Sequence, residues 1–224
     1  TDARMARTAG RPIPTGKVAP GSAFVMGWLM CTAAFFLLFL KVERLAAVFT
    51  LLTAVSYLAC YTPAKRWSAW STEIGAIAGA FPPLIGWSAA EGGVSALGWI
   101  LFGVLYFWQI PHFMAVAWTH RRDYSAVDFP MLPVRDESGR KVALWSLLNT
   151  VGLIAVSVLP PFLGLATWAY GVAAAVLGAW FLWRAACFTQ PATRDPAARK
   201  LFLTSIAYLP LVLGALVADR LFYR

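Results

Sequence analysis

Long apolar stretches alternate with short polar ones from end to end of this chain, and the length of each apolar stretch decides what it can be. A helix that crosses a bilayer needs roughly 20 consecutive, mostly apolar residues. Seven stretches meet that need: Ser22–Leu40, Leu45–Tyr61, Thr72–Ala90, Ser95–Thr119, Val142–Leu159, Ala166–Phe188 and Leu201–Ala218. The polar stretches between them are too short to fold as soluble domains, and no internal repeat or low-complexity tract interrupts the series. The pattern predicts an all-α fold, a polytopic membrane helix bundle of seven spans forming one domain over residues 1–224.

Composition agrees. The chain is 60% hydrophobic and 13% charged, where a soluble domain carries about a quarter charged residues. A net charge of +9 would point to nucleic acid in a soluble protein. In a membrane protein, basic loops that set topology and lie near anionic head groups account for it, so no nucleic-acid partner is expected. Cys31, Cys60 and Cys187 all lie inside apolar stretches and form no CxxC pair, which argues against a zinc site or a disulfide framework. The opening stretch 1–21 is polar and basic without an apolar core, so it is not a signal peptide. It reads as a cytoplasmic loop met partway along a longer chain, with helices expected upstream.

Seven spans alternate the sides of their flanking segments. The segments 1–21, 62–71, 120–141 and 189–200 share one side, with Arg184 at a helix end there. Of the 19 Lys and Arg residues, only Lys41, Arg44, Arg220 and Arg224 fall on the other. The positive-inside rule places the basic side in the cytoplasm. The unusual polar residues gather on that side: Asp2, Arg4, Arg7 and Arg11 in the first segment, Tyr61, Lys65 and Arg66 in the second, and Arg121, Arg122, Asp123, Tyr124 and Asp128 in the third. A single Arg in such a loop most often serves topology, but acidic residues contribute little to it. Asp2 and Asp123, each set among arginines, ask for another role. Carboxylates beside arginines suit Mg²⁺ held by Asp oxygens and phosphates clamped by Arg and Lys.

Prolines fall inside two spans, Pro82 and Pro83 in the third and Pro111 in the fourth. Each removes a helical hydrogen bond, so both spans are predicted to be broken, either as plain kinks or as walls of a cavity. The small residues Gly75, Ala76, Ala78, Gly79 and Ala80 in the third span allow close helix packing. Gln109 and His112 sit beside Pro111, one turn apart on one face. Polar residues inside a span mark functional sites by default, although a packed, hydrogen-bonded His is the plainer alternative.

The stretches "RTAGRPIPTG", "YTPAKRWSAWSTEIGAIAGAFPPLIGW", "FWQIPHFMAVAW", "RRDYSAVDFPMLPV" and "LFLTSIAYLPLVLGALVADR" together resemble the intramembrane aromatic prenyltransferases, specifically their haem-directed branch. The resemblance runs in order over almost the whole chain. It implies a nine-helix fold whose first two helices precede this sequence. It also implies an enzyme that joins the farnesyl group of farnesyl diphosphate to a vinyl group of haem b, with water added to give haem O, and with Mg²⁺ as cofactor. By the resemblance Asp2 is the last carboxylate of a first metal motif and Asp123 the key carboxylate of a second, with Tyr124 beside it among the catalytic candidates. Arg7, Arg11, Lys65 and Arg66 would bind phosphate oxygens, with Arg121 or Arg122 assisting. Gln109 and His112 would meet haem, His112 as an axial ligand. Ser71 stands where many members carry Asn, and Asp128 where Gly is usual. On a regular helix Asp123 and Asp128 would lie about 140° apart, which argues against both binding one metal unless the segment is a loop. Haem A synthase or a terminal oxidase is the partner the resemblance suggests, and the bacterial inner membrane, with the site facing the cytoplasm, is the location. The alternatives are a quinone or chlorophyll-type prenyltransferase, a multi-span transporter, and a non-catalytic haem-binding assembly factor. The transporter is disfavoured because the charge gathers at one surface rather than at the midplane.

Overall fold

The computed structural model describes Ala3 and residues 8–223, so Asp2, Arg4 and Arg7 lie outside the described residues. Among the described residues twelve α-helices follow one another: α1 Pro20–Leu37, α2 Arg44–Val55, α3 Thr62–Ala64, α4 Ser71–Ala80, α5 Pro82–Glu91, α6 Ala96–Thr119, α7 Arg121–Ser125, α8 Leu132–Arg135, α9 Arg140–Ser157, α10 Leu159–Phe162, α11 Trp168–Phe188 and α12 Arg194–Phe222. Short π-helical turns extend α1 and α2, over Leu38–Val42 and Ser56–Tyr61. No strand occurs among the described residues.

Among the described residues, six continuous stretches are long and apolar enough to cross a membrane: Pro20–Val42, Arg44–Ala64, Ala96–Thr119, Arg140–Phe162, Trp168–Phe188 and Pro191–Phe222. The third predicted span is the exception. There α4 and α5 are ten-residue helices, each about 15 Å long against a hydrocarbon core of about 30 Å, so they cross only as a pair. The break follows from Pro82 and Pro83. Pro82 has no N–H for the Ala78 carbonyl, and only a long 3.5 Å bond from Phe81 N reaches it. The helix restarts at once because proline is well placed in a first turn.

The expected break at Pro111 does not occur. Helix α6 runs unbroken from Ala96 to Thr119 with Pro111 inside it. One missing hydrogen bond does not outweigh the packing on both sides, where Ile110 and Met114 are fully buried. The last helix starts earlier than hydropathy suggests. Its first turns carry Asp195, Arg199 and Lys200, which read as loop but favour a helix end in water.

The core lies among α6, α9, α11 and α12, around Val104, Ile110, Met114, Leu153, Phe181 and Tyr208. At one end of the bundle the basic segments meet. Trp118 Nε1 donates to Asp195 Oδ1 (2.8 Å). The buried Arg194 donates to the carbonyls of Phe188 (3.2 Å), Thr189 (2.9 Å) and Ser138, so one guanidinium joins the end of α11 to the loop before α9. Gly139 in that loop has φ +68°, and a Cβ there would meet the Trp118 ring. At the opposite end Asp219 accepts from the backbone N–H (2.9 Å) and hydroxyl of Thr167 and holds the start of α11. Segments 120–141 and 189–200, which the charges group together, thus meet at one end, and the start of α11 meets the end of α12 at the other. Helix α1 buries none of its residues, as suits an apolar helix that lipid can solvate.

Candidate active site

Below the end of the bundle that bears the charged cassette, a cavity of about 540 Å³ lies between α2 with its π turn, α4–α5, α6 and the segment after α7. Its wall includes Tyr57, Tyr61, Gly75, Gly79, Gln109, Phe113 and Tyr124. The two glycines make the wall close. A Cβ at Gly75 would sit 2.8 Å from the Tyr61 ring, so the bare backbone lets that ring lie on α4. A Cβ at Gly79 would overlap Gln109 Oε1. Gln109 is held in this slot by its own donors, which reach the Leu105 carbonyl (2.9 Å) and, at the limit of a bond, the Ala76 carbonyl (3.5 Å). An uncharged amide is thereby fixed inside the membrane, which the cost of leaving buried polar groups unpaired demands.

The cavity is connected to the charged rim through two tyrosines. Lys65 Nζ lies 4.3 Å from the centroid of the Tyr61 ring, a cation–π contact. Tyr124, on the short helix α7, reaches the same cavity. Its neighbour Asp123 pairs with His120 Nδ1 at 3.6 Å, and that carboxylate is 38% exposed. Arg66 is exposed beside Lys65. Tyr124 is thus in the cavity wall, Lys65 is stacked on Tyr61 of the same wall, and Asp123 adjoins Tyr124 in sequence without being part of that wall.

Other expected members are placed elsewhere. Arg121 turns away from the cavity, donates to the Trp118 carbonyl (2.8 Å), pairs with Asp195 (3.3 Å) and stacks on Trp118. Arg122 is exposed and lines a separate shallow cleft with Asp136 and Glu137. Arg11 is exposed in the loop before α1. Asp128 has φ +56° in the turn after α7, so the helical-spacing argument against it does not apply, yet it is exposed and is not part of the cavity wall. Asp2 and Arg7 lie outside the described residues.

His112 and Gln109 do not act on one another. Gln109 faces α4, whereas the His112 ring faces α12, with Nδ1 2.7 Å from Ser205 Oγ. The ring stacks on Trp108 at 4.8 Å and is flanked by Phe113 and Phe202 at 5.1 and 5.2 Å. Phe113 belongs also to the cavity wall, so His112 lies one side chain from the cavity.

One half-buried acid is not among the residues that the sequence singles out. Glu73, in the first turn of α4, accepts from Trp145 Nε1 (2.5 Å), while its Oε2 is buried without a partner among the described residues. An ionisable residue inside a predicted span was the signal. Among the described residues no group of three or more His, Cys, Asp or Glu side chains converges as a metal cage.

The chain matches the UbiA prenyltransferase family over residues 1–206. It is 74% identical over 222 residues to the protoheme IX farnesyltransferase of Opitutus terrae, covering 99% of this chain and 75% of that protein. It is 42% identical over 219 residues to the protoheme IX farnesyltransferase of Solibacter usitatus, covering 98% of this chain and 75% of the relative. With the namesake from Salinibacter ruber it shares 43% over 218 residues, covering 97% and 77%. No solved structure matches the chain.

Proposed function

The chain belongs to the UbiA prenyltransferase family, and on that footing we propose that it transfers the farnesyl group of farnesyl diphosphate to a vinyl group of haem b, producing haem O. The observation that carries the reading is the cavity with a charged rim. A largely apolar chamber of about 540 Å³ suits an isoprenoid chain, and Lys65, stacked on the wall residue Tyr61, would meet a diphosphate head at its mouth, with Arg66 and Asp123 assigned beside it.

The reaction needs the allylic C–O bond to break, its electron pair leaving on the diphosphate. The vinyl π electrons form the new C–C bond, and water captures the cation that this leaves on the neighbouring carbon, releasing a proton to the leaving diphosphate or solvent. Lys65 and Arg66 lower the barrier by binding phosphate oxygens whose charge grows in the transition state. Arg11 and Arg7 are assigned the same role. Tyr61, Tyr124 and Phe113 offer aromatic faces, which favour a nearby cation without capturing it. The closely packed wall of α4 and α6 limits water around that cation. Gln109 Oε1 is an acceptor fixed at the wall, suited to hold a substrate donor.

Mg²⁺ fits the rim. It binds through one or two carboxylates plus substrate phosphates rather than in a protein cage, and Asp123 is a half-exposed carboxylate that pairs, among the described residues, with His120. Asp123, with Asp2, would hold the ion, which supplies charge neutralisation at the diphosphate. We assign His112 to haem as an axial ligand, since its ring is fixed one side chain from the cavity. The rim is assigned to the cytoplasmic face by its basic segments, and the product would pass to haem A synthase or a terminal oxidase.

The test uses the protein in proteoliposomes with farnesyl diphosphate, Mg²⁺ and haem b, with extracted haems read by mass spectrometry. Wild type should give haem O. Asp123→Asn should keep the fold and lower yield by at least about 100-fold, roughly 2.7 kcal/mol of transition-state stabilisation. Normal haem O from that variant would remove Asp123 from the site.

A further inference from the structure

The contact between His112 and Ser205 specifies which imidazole nitrogen is free. Ser205 Oγ lies 2.6 Å from the Phe202 carbonyl and 2.7 Å from His112 Nδ1. Both separations require a hydrogen between the heavy atoms, and a serine hydroxyl has only one to give. The carbonyl has none, so the hydroxyl must donate to Phe202 O. The hydrogen in the other contact must then come from the ring, and Nδ1–H donates to Ser205 Oγ. The opposite assignment would set the hydroxyl and carbonyl oxygens lone pair to lone pair at 2.6 Å. In a neutral imidazole only one nitrogen carries hydrogen, so Nε2 is left with its lone pair.

The same turn of α12 fixes the plane of the ring. Trp108 Nε1 donates to the backbone carbonyl of Ser205 (2.7 Å), and the Trp108 and His112 rings stack with an interplanar angle of 24°. Ser205 thus receives Trp108 on its carbonyl and His112 on its hydroxyl, and it is itself fully buried. The Trp108 contact uses only the backbone, whereas the His112 contact requires the hydroxyl.

We propose that Ser205 is a positioning residue for haem, holding His112 in the Nδ1–H tautomer so that Nε2 presents a lone pair to the haem iron. The inference rests on the reading of His112 as the axial ligand. A partner that accepts the far N–H of a metal-bound histidine both orients the ring and makes the ligating nitrogen more basic, and its loss typically costs about 10- to 100-fold in affinity. Without the hydroxyl the ring is free to place its hydrogen on Nε2 and close the ligating position.

Ferric haem is titrated into detergent-solubilised wild type, His112→Ala, Ser205→Ala and Ser205→Thr, and the optical and low-temperature paramagnetic resonance spectra report the axial ligand. His112→Ala should lose the histidine-ligated spectrum. Ser205→Ala should weaken haem binding by about 10- to 100-fold and shift the spectrum, whereas Ser205→Thr, which keeps the hydroxyl, should restore both. Farnesyl diphosphate binding serves as the fold control and should persist in all four. A wild-type spectrum and affinity in His112→Ala refutes the axial ligand itself, and with it the inference. Loss in His112→Ala but not in Ser205→Ala refutes the role of Ser205 alone. Failure of Ser205→Thr to restore what Ser205→Ala loses, with donor binding intact, also overturns it, because the hydroxyl would then not be the cause.

Discussion

Replacing Gly79 with Ala should leave the protein about as stable as before while disabling the cavity. A Cβ at this position would overlap Gln109 Oε1 and stand 2.9 Å from Cδ and 3.2 Å from Nε2. All three atoms belong to one amide, so the amide must turn away. It then gives up its bonds to the Leu105 carbonyl (2.9 Å) and the Ala76 carbonyl (3.5 Å). The shorter contributes about 1 kcal/mol net, and the longer lies at the edge of what counts as a bond. Ala in place of Gly within a helix returns about 1 kcal/mol. The two changes nearly cancel, so unfolding in detergent should shift by less than about 1 kcal/mol. Activity has no such compensation, because the space open to the displaced amide is the cavity of about 540 Å³. A misplaced group in a site of this kind costs about 100-fold. In the Gln109→Ala background there is no amide to displace, so adding Gly79→Ala should do little more. The assay is a double-mutant cycle on haem O formation, and the coupling should exceed about 1 kcal/mol. Effects that add within about 0.5 kcal/mol, the usual behaviour of independent sites, would refute the contact and its importance.

Lys65→Ala and Arg66→Ala should each weaken farnesyl diphosphate binding by about tenfold or more, the loss of one charge-assisted hydrogen bond, while haem binding stays unchanged in calorimetry. Lys65→Arg should recover only part, since a planar fork does not replace a point charge. Arg121→Ala should move donor affinity less than either, because its guanidinium is engaged by Asp195 and Trp118; a larger effect would return Arg121 to the phosphate site. Arg194→Ala should cost about 2–5 kcal/mol in unfolding experiments, because it strips a charged donor from three carbonyls. An unchanged unfolding midpoint would show that the carbonyls find other donors.

What the sequence could and could not reveal divides by range. Span length is a local property, so the crossings were legible, and so was the break at Pro82–Pro83, where two consecutive residues lack N–H. Continuity through Pro111 was not legible, because it depends on the helices packed against α6. The charged segments could be named from their residue types, and the structure sets Tyr124 in the cavity wall with Lys65 stacked on Tyr61 of that wall. The orientation of Arg121 could not be read, since its partner Asp195 lies 74 residues away. The same holds for His112, whose partner Ser205 is 93 residues distant. One face of a helix seemed to unite His112 with Gln109, but 60° of rotation was enough to aim them at different neighbours. Glu73 was visible as a letter inside a span, while its partner Trp145 belonged to another helix.

The rim cations fall into two groups, and the difference bears on which of them can serve a leaving diphosphate. Arg121 pairs with the carboxylate of Asp195, stacks on Trp118 and donates to the Trp118 carbonyl, and moving it to a phosphate would give up all three contacts. Lys65 rests on the ring of Tyr61 and makes no ion pair among the described residues. An aromatic face holds a cation at a cost to be overcome of only about 0.5–1 kcal/mol at an exposed site, well below what a phosphate oxygen returns through a charge-assisted bond. Lys65 is thus positioned without being committed. Because Tyr61 also forms the cavity wall, a lysine drawn off its ring toward a diphosphate would uncover an aromatic face beside the reacting end of the chain. The cation that neutralises the leaving group and the ring that favours the carbocation would then become available in the same movement.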